Sequence, residues 1–231
     1  MEKEKYNIIL LGEGTVGKTS IISNLVGTGF SENTIKTVGI DAVNKDVEIN
    51  KKEYSFRIYD TAGQERYKSM AQRTIKLGHG FLLVFAINNS SSFEMLKSWI
   101  SSIEDIVKIS EKIIFIVGNK IDVKDRCVSK EEAEQFAKNK NFKYFETSAK
   151  TKVGIEETFN ELYNDIVELN EKKKENYNDK NKLNENSKKE KIENDEELFR
   201  QESFQINKEA INNNKNQEKK KNWFLRHCMI I

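Results

Sequence analysis

Six short apolar runs punctuate the first 170 residues and read as strands: Tyr6–Leu11, Val43–Ile49, Tyr54–Asp60, Phe81–Ile87, Lys112–Val117 and Lys143–Glu146. Several are continuous rather than alternating, as in strands buried on both faces of a parallel sheet. Only Asn50-Lys51-Lys52-Glu53 separates the second run from the third. That is short enough for a hairpin and predicts one antiparallel edge strand. Between the runs, apolar residues recur every three or four positions. Phe93, Leu96, Ile100, Ile103 and Val107 line one helix, opened by a capping box at Ser91 and Glu94. Ser129 and Glu132 repeat that box before the next helix. Ile155, Phe159, Leu162, Ile166 and Leu169 form the stripe of a last one. Strands alternating with such helices predict an α/β sheet built from βαβ units.

The periodicity fades after Leu169. Lys, Asn and Glu fill most positions from 171 to 222, too little apolar surface to offset the entropy of ordering. The expected organisation is therefore a folded domain over 1–170 and a disordered tail over 171–231. Ile192, Leu198, Phe199 and Ile206 leave open a transient helix within that tail. The formal net charge is +2, so a dedicated nucleic-acid binder is not expected. Two cysteines exclude a disulfide-stapled module. The charged start, Met1-Glu2-Lys3-Glu4-Lys5, does not resemble a signal peptide.

Candidate chemistry begins where the first strand ends. Gly12-Glu13-Gly14-Thr15-Val16-Gly17-Lys18-Thr19 has the G-x-x-x-x-G-K-[ST] spacing between a strand and a helical pattern starting at Ser20. Glycines let backbone N–H groups approach phosphate oxygens, and the helix N-terminus adds donors and partial positive charge. Gly12, Gly14, Thr15, Val16, Gly17, Lys18, Thr19 and Ser20 are the phosphate-side candidates. Lys18 is expected to reach the β- and γ-phosphates, and the Thr19 hydroxyl to ligate Mg²⁺, which prefers oxygen. The loop does not name the base. Gly118-Asn119-Lys120-Ile121-Asp122 closes the fifth strand, and the C-terminal ends of strands in an open α/β sheet are where ligands bind. A carboxylate at Asp122 accepts two hydrogen bonds from guanine, a donor pair that adenine lacks.

These residues, with Thr37, Asp60-Thr61-Ala62-Gly63-Gln64-Glu65 and Thr147-Ser148-Ala149-Lys150 in the same order, resemble the Ras superfamily of small GTPases, and within it the Rab branch. The resemblance spans residues 6 to about 169 and implies a P-loop NTPase fold: a six-stranded, mostly parallel sheet with one antiparallel edge strand, flanked by five helices. It implies that Asn119 braces the phosphate loop and faces the guanine edge. Lys120 would lie along the base, the Ala149 N–H, flanked by Ser148 and Lys150, would contact the guanine oxygen, and Phe30 would pack on the base. Thr37 and Asp60 would join Thr19 at Mg²⁺, and the Thr37 and Gly63 N–H groups would hold the γ-phosphate. Gln64 would orient the attacking water, with Lys18 as the second catalytic candidate. Hydrolysis would then release two loops pinned by one phosphoryl group. No arginine stands in the matched segment around Thr37, so slow intrinsic turnover accelerated by a GTPase-activating protein is expected. The small Gly14 is compatible with hydrolysis. Ala42, Tyr59 and Thr74-Ile75 depart from the aromatic residues usual at those Rab positions, which leaves partner choice open.

The last four residues, Cys228-Met229-Ile230-Ile231, have the C-a-a-X form, with Cys228 the prenylation candidate. Lys219-Lys220-Lys221 and Arg226 supply a basic second signal for anionic lipid. The expected function is a GTP/GDP switch in vesicle trafficking, on the cytoplasmic face of an intracellular membrane and cycling with the cytosol. Exchange factor, activator and effectors are its expected partners. A Ras-like signalling GTPase and a constitutively GTP-bound scaffold with vestigial hydrolysis are the alternatives.

Overall fold

The computed structural model describes residues 3–28, 40–61, 68–175 and 177. The chain divides into two units, Met1–Glu171 and Lys172–Ile231. In the first, β1 (Glu4–Leu11), β2 (Ile40–Ile49), β3 (Lys52–Thr61), β4 (Gly80–Ala86), β5 (Ile113–Asn119) and β6 (Lys143–Thr147) form one sheet in the order β2-β3-β1-β4-β5-β6. Only β2 runs antiparallel to its neighbour; the other pairings are parallel. The helices are α1 (Lys18–Leu25), α2 (Lys68–Leu77), α3 (Ser90–Glu94), α4 (Leu96–Glu104), α5 (Lys130–Asn139) and α6, which starts at 155 and runs to the end of this unit. Only Met95, itself in right-handed helical geometry, separates α3 from α4. The two read as one helix interrupted at Met95, so among the described residues of this unit five helices flank the sheet. In the second unit, 172–175 and 177 are described, as helix. No helix among the described residues is long and apolar enough to cross a membrane.

The continuous apolar runs are explained by burial on both faces. Ile8, Leu10, Leu82, Val84, Phe115 and Val117 face the cluster shared with α1 and α6. Their strand neighbours Ile9, Leu11, Phe81, Leu83, Ile114 and Ile116 face the opposite cluster, with Ile75 of α2, Leu96 and Ile100 of α4, and Ala133 of α5. Alternate side chains point to opposite faces, so a strand covered on both sides must be apolar at every position. β2 sits at the edge and is only half buried.

Two local expectations change. The hairpin loop is Asn50-Lys51 alone, both residues at positive φ, because Lys52 and Glu53 already pair with Ile49 and Glu48. Two positive-φ residues match the strand twist of a tight hairpin. The helix of Phe93 is not capped at Ser91. The cap is Asn89, whose Oδ1 accepts from the Ser92 N–H at 3.1 Å. Asn89 is extended where the helix starts, and its amide reaches the third N–H on. The second expected cap is present: Ser129 Oγ accepts from the Glu132 N–H at 3.0 Å.

Candidate functional site

Among the described residues, the segments singled out in the sequence meet at the C-terminal ends of the parallel strands. The loop 12–17 follows β1, Asp60 is the last residue but one of β3, Asn119 ends β5, and Thr147 ends β6 before Ser148-Ala149-Lys150. Parallel strands bring these ends together although more than a hundred residues separate the first from the last.

The phosphate-side loop is held open by backbone geometry. Gly12 has φ 149°, and a Cβ there would lie 2.1 Å from the Val84 carbonyl oxygen. Gly17 has φ 100°, and its Cβ would lie 2.4 Å from Asn119 Nδ2. Neither position admits a side chain. At Gly14 a Cβ meets nothing within 4 Å, so the loop itself does not exclude one. Thr15 is exposed and also at positive φ; Val16 is buried. Gly17 starts α1 without a side-chain cap, and the first turn of α1 holds no acidic residue. The partial positive charge of that helix end favours an anion there. Ser20, buried in the same turn, gives its carbonyl to Asn24.

Lys18 is 5% exposed and donates to the carbonyls of Gly12 at 2.9 Å and Glu13 at 2.8 Å. Burial lowers its ammonium to about 8, against the opposing pull of Asp60 and Glu13. Anionic phosphate beside it would reverse that penalty. Thr19 Oγ1 donates to Asp60 Oδ2 at 2.6 Å, which places a hydroxyl and a buried carboxylate side by side below the loop. Hard oxygen donors next to a phosphate cradle fit Mg²⁺.

Asn119 is the hub of the base side. It is 1% exposed. Its Nδ2 donates to the Val16 carbonyl at 2.8 Å, while its Oδ1 accepts from Thr147 Oγ1 at 3.1 Å and from the Ala149 N–H at 3.2 Å. One side chain thus ties the phosphate loop to both base-side loops. The Ala149 N–H, expected to face a guanine oxygen, is here given to Asn119, because β5 and β6 pair Asn119 directly with Thr147. A ligand oxygen would share or displace that bond. Asp122 is exposed, with Oδ1 accepting from Ser148 Oγ at 2.6 Å. The desolvation that makes a carboxylate selective therefore arises only when a base covers it. Lys120 has φ 71°, and burial lowers its ammonium while Asp122 raises it. Lys150 is exposed.

Two residues outside the sequence candidates complete the frame. Asn24 Nδ2 bridges the carbonyls of Ser20 at 2.9 Å and Ala149 at 2.5 Å, joining α1 to the last base loop. Thr61 Oγ1 donates to the Leu10 carbonyl at 2.6 Å and fixes the end of β3 on β1. Both are short polar residues of a kind common in loops, and only their distant partners mark them. Ala42 and Tyr59 pair across β2 and β3, so two of the Rab departures lie side by side. Thr74 and Ile75 are buried on α2. Phe30, Thr37, Gly63, Gln64 and Cys228 lie outside the described residues, as do Lys219-Lys220-Lys221, Arg226 and the pattern from Ile192 to Ile206.

Comparison with known proteins bears on the same residues. Residues 7–168 match the model of the Ras family. The chain is 35% identical over 163 residues to Ras-related protein Rab-13 of Rattus norvegicus, covering 70% of this chain and 80% of that protein. It is 37% identical over 173 residues to Ras-related protein Rab-8 of Diplobatis ommata, 74% and 82% covered. It is 37% identical over 166 residues to Ras-related protein Rab-9A of Mus musculus, 70% and 83% covered.

Proposed function

Because the chain belongs to the Ras family and is a Rab-like small GTPase that hydrolyses GTP, we propose that the loops at the C-terminal ends of the parallel strands are its nucleotide site and that the chain works as a trafficking switch. The convergence of the glycine loop, Asp60 and Asn119 at those ends carries this reading. N–H groups of the loop and of the α1 start bind the phosphates, and Lys18 supplies the neutralising charge. Thr19, Thr37 and Asp60 hold Mg²⁺, which when bound neutralises phosphate charge. Asp122 and the Ala149 N–H read the base, with Lys120 and Phe30 on its faces. Thr37 and Gly63 sense the γ-phosphate, so their segments exchange one arrangement for another when it leaves. Gln64 orients the attacking water; positioning rather than covalent chemistry dominates phosphoryl transfer.

The measurement is single-turnover hydrolysis of GTP by the purified chain. Gln64→Leu is expected to slow intrinsic turnover about 10²-fold while GTP still binds, since misplacing one reactant costs on that order. Unchanged turnover would remove Gln64 from the mechanism. Absence of any cleavage by the parent chain, with a matched activator present, would replace the switch by a scaffold.

The membrane part of the proposal assigns residues 1–170 to the switch and 171–231 to a tail prenylated at Cys228 and helped by Lys219-Lys220-Lys221 and Arg226, on the cytoplasmic face of an intracellular membrane. One lipid chain anchors weakly, and each nearby cation adds about 1 kcal/mol on an anionic surface. Cys228→Ser is expected to move the tagged chain from the membrane pellet to the supernatant of fractionated cells. Unchanged pelleting would dismiss the lipid.

A further inference from the structure

On the outer side of the base loops, two residues outside every motif converge on one carboxylate oxygen of a third. Glu146 Oε1 accepts from Arg126 Nη1 at 2.9 Å and from Tyr144 Oη at 2.9 Å. Arg126 Nη1 also donates to the Val128 carbonyl at 3.2 Å. Arg126 belongs to the loop that starts at Asn119 and carries Asp122. Glu146 is the residue before Thr147 and pairs with Gly118 in the sheet. The lack of a side chain at Gly118 gives the phenol its room: a Cβ there would lie 2.5 Å from Tyr144 Oη. The far end of the Arg126 loop is pinned to β4 as well, since the N–H groups of Cys127 and Val128 both donate to the Ile87 carbonyl, and Ile87 donates to Asn119.

The loop bearing Asp122 therefore has an inner and an outer attachment to the loop bearing Ala149. The inner one is Asn119 with Thr147 and Ala149, and Ser148 with Asp122. The outer one is Arg126 with Glu146. Between them Asp122, Lys124 and Asp125 are exposed, while their neighbours Ile121 and Val123 pack against the core. With Ile121 and Val123 on the core and Cys127 and Val128 held on β4, the freedom that the outer attachment removes is a small rotation of the exposed residues between those anchors. The Arg126 and Glu146 side chains are 31% and 20% exposed, more covered than the surface pairs whose effect is usually negligible.

We infer that Arg126, Glu146 and Tyr144 form a clamp that sets the spacing between Asp122 and Ala149, and thereby the base selectivity and residence time of a bound guanine nucleotide. The inference rests on the assignment of Asp122 and Ala149 to the base. The three are positioning residues: hydrogen bonds to a base are directional, so a small rotation of the Asp122 carboxylate weakens its paired contacts before it harms the fold.

The test compares dissociation of GDP and IDP, which lacks the exocyclic amine facing Asp122, from the full chain, with thermal unfolding in parallel. The parent chain is expected to release IDP about 10- to 10²-fold faster than GDP, the ratio of one charge-assisted hydrogen bond. Arg126→Met and Glu146→Gln should each raise GDP release about tenfold and shrink the IDP/GDP ratio at least about threefold. The double variant should be no worse than either single one, because Arg126→Met removes the donor and Glu146→Gln the negative charge of the same ion pair. Tyr144→Phe keeps the ring and should shift the ratio in the same direction by less. Arg126→Lys should retain part of the ratio. A parent ratio preserved in Arg126→Met and Glu146→Gln, even with a lowered melting temperature, overturns the clamp alone. A parent chain that does not distinguish IDP from GDP overturns the base assignment, and the clamp with it.

Discussion

Asp122→Asn is expected to reverse the base preference of the chain, lowering GTP affinity about 10²- to 10⁴-fold and admitting xanthosine triphosphate. The Asp122 carboxylate decides this. Its Oδ1 already accepts from Ser148 Oγ, which fixes the group's orientation at the mouth of the base loops. Guanine offers two adjacent donors, the ring N1–H and the exocyclic amine, and an ionised carboxylate accepts both. Charge-assisted hydrogen bonds contribute about 1.5–3 kcal/mol each, and about 1.4 kcal/mol is a factor of ten. An amide at 122 sets a donor against a donor. Xanthine carries a carbonyl in place of the amine and turns that clash into a bond. Competition of GTP and xanthosine triphosphate against a fluorescent nucleotide measures both affinities. GTP affinity within about threefold of the parent would show that Asp122 does not read the base.

Asn119→Ala is expected to damage fold and site together. It strands the Val16 carbonyl, the Thr147 hydroxyl and the Ala149 N–H, all bonded to the Asn119 amide in the structure. A buried polar group left unsatisfied costs about 1–3 kcal/mol. The Thr147 hydroxyl can rotate to other acceptors, so a total of about 3–5 kcal/mol is expected. That corresponds to a melting temperature lowered by about 10 °C for a domain of this size. GDP release should accelerate at least about 10²-fold, because the same amide joins the phosphate loop to the base loops. The contact with Gly17 adds to this: that glycine approaches Asn119 so closely that no Cβ fits between them. Thermal unfolding and GDP dissociation on one preparation check both numbers. A melting temperature within about 3 °C of the parent would show that the amide is dispensable as a brace.

The two predictions rest unequally on the primary sequence. Asp122 stands in a short run whose chemistry is local: a carboxylate three positions after an Asn at a strand end. Its role is legible without coordinates, although its exposure is not. Asn119 is legible only as a member of that run. Its three partners lie 28, 30 and 103 positions away, and no local pattern announces them. Asn24 and Thr61 stayed hidden for the same reason, as did the clamp at Glu146. The errors at the ends of elements have a different origin. Asn89 displaced Ser91 as a cap because several short polar residues precede that helix and each is able to cap. The hairpin turned at Asn50-Lys51 because pairing extended two residue pairs further than composition suggested, Glu48 with Glu53 and Ile49 with Lys52.

What the amino-acid order determined by itself is whatever repeats at short range. Apolar runs became strands buried on two faces, stripes of Ile, Leu and Phe became helix faces, and glycine spacing with Lys18 and Thr19 became a phosphate-type loop. Tertiary structure alone decided which loop ends meet. Strand order and the β5–β6 register set Asn119 opposite Thr147, and the parallel β1–β3 pairing brings Asp60 to Thr19. Local periodicity encodes which side of a strand or helix is buried. It does not encode register between strands far apart in the chain, and hydrogen bonds reaching only about 3 Å form or fail on that register.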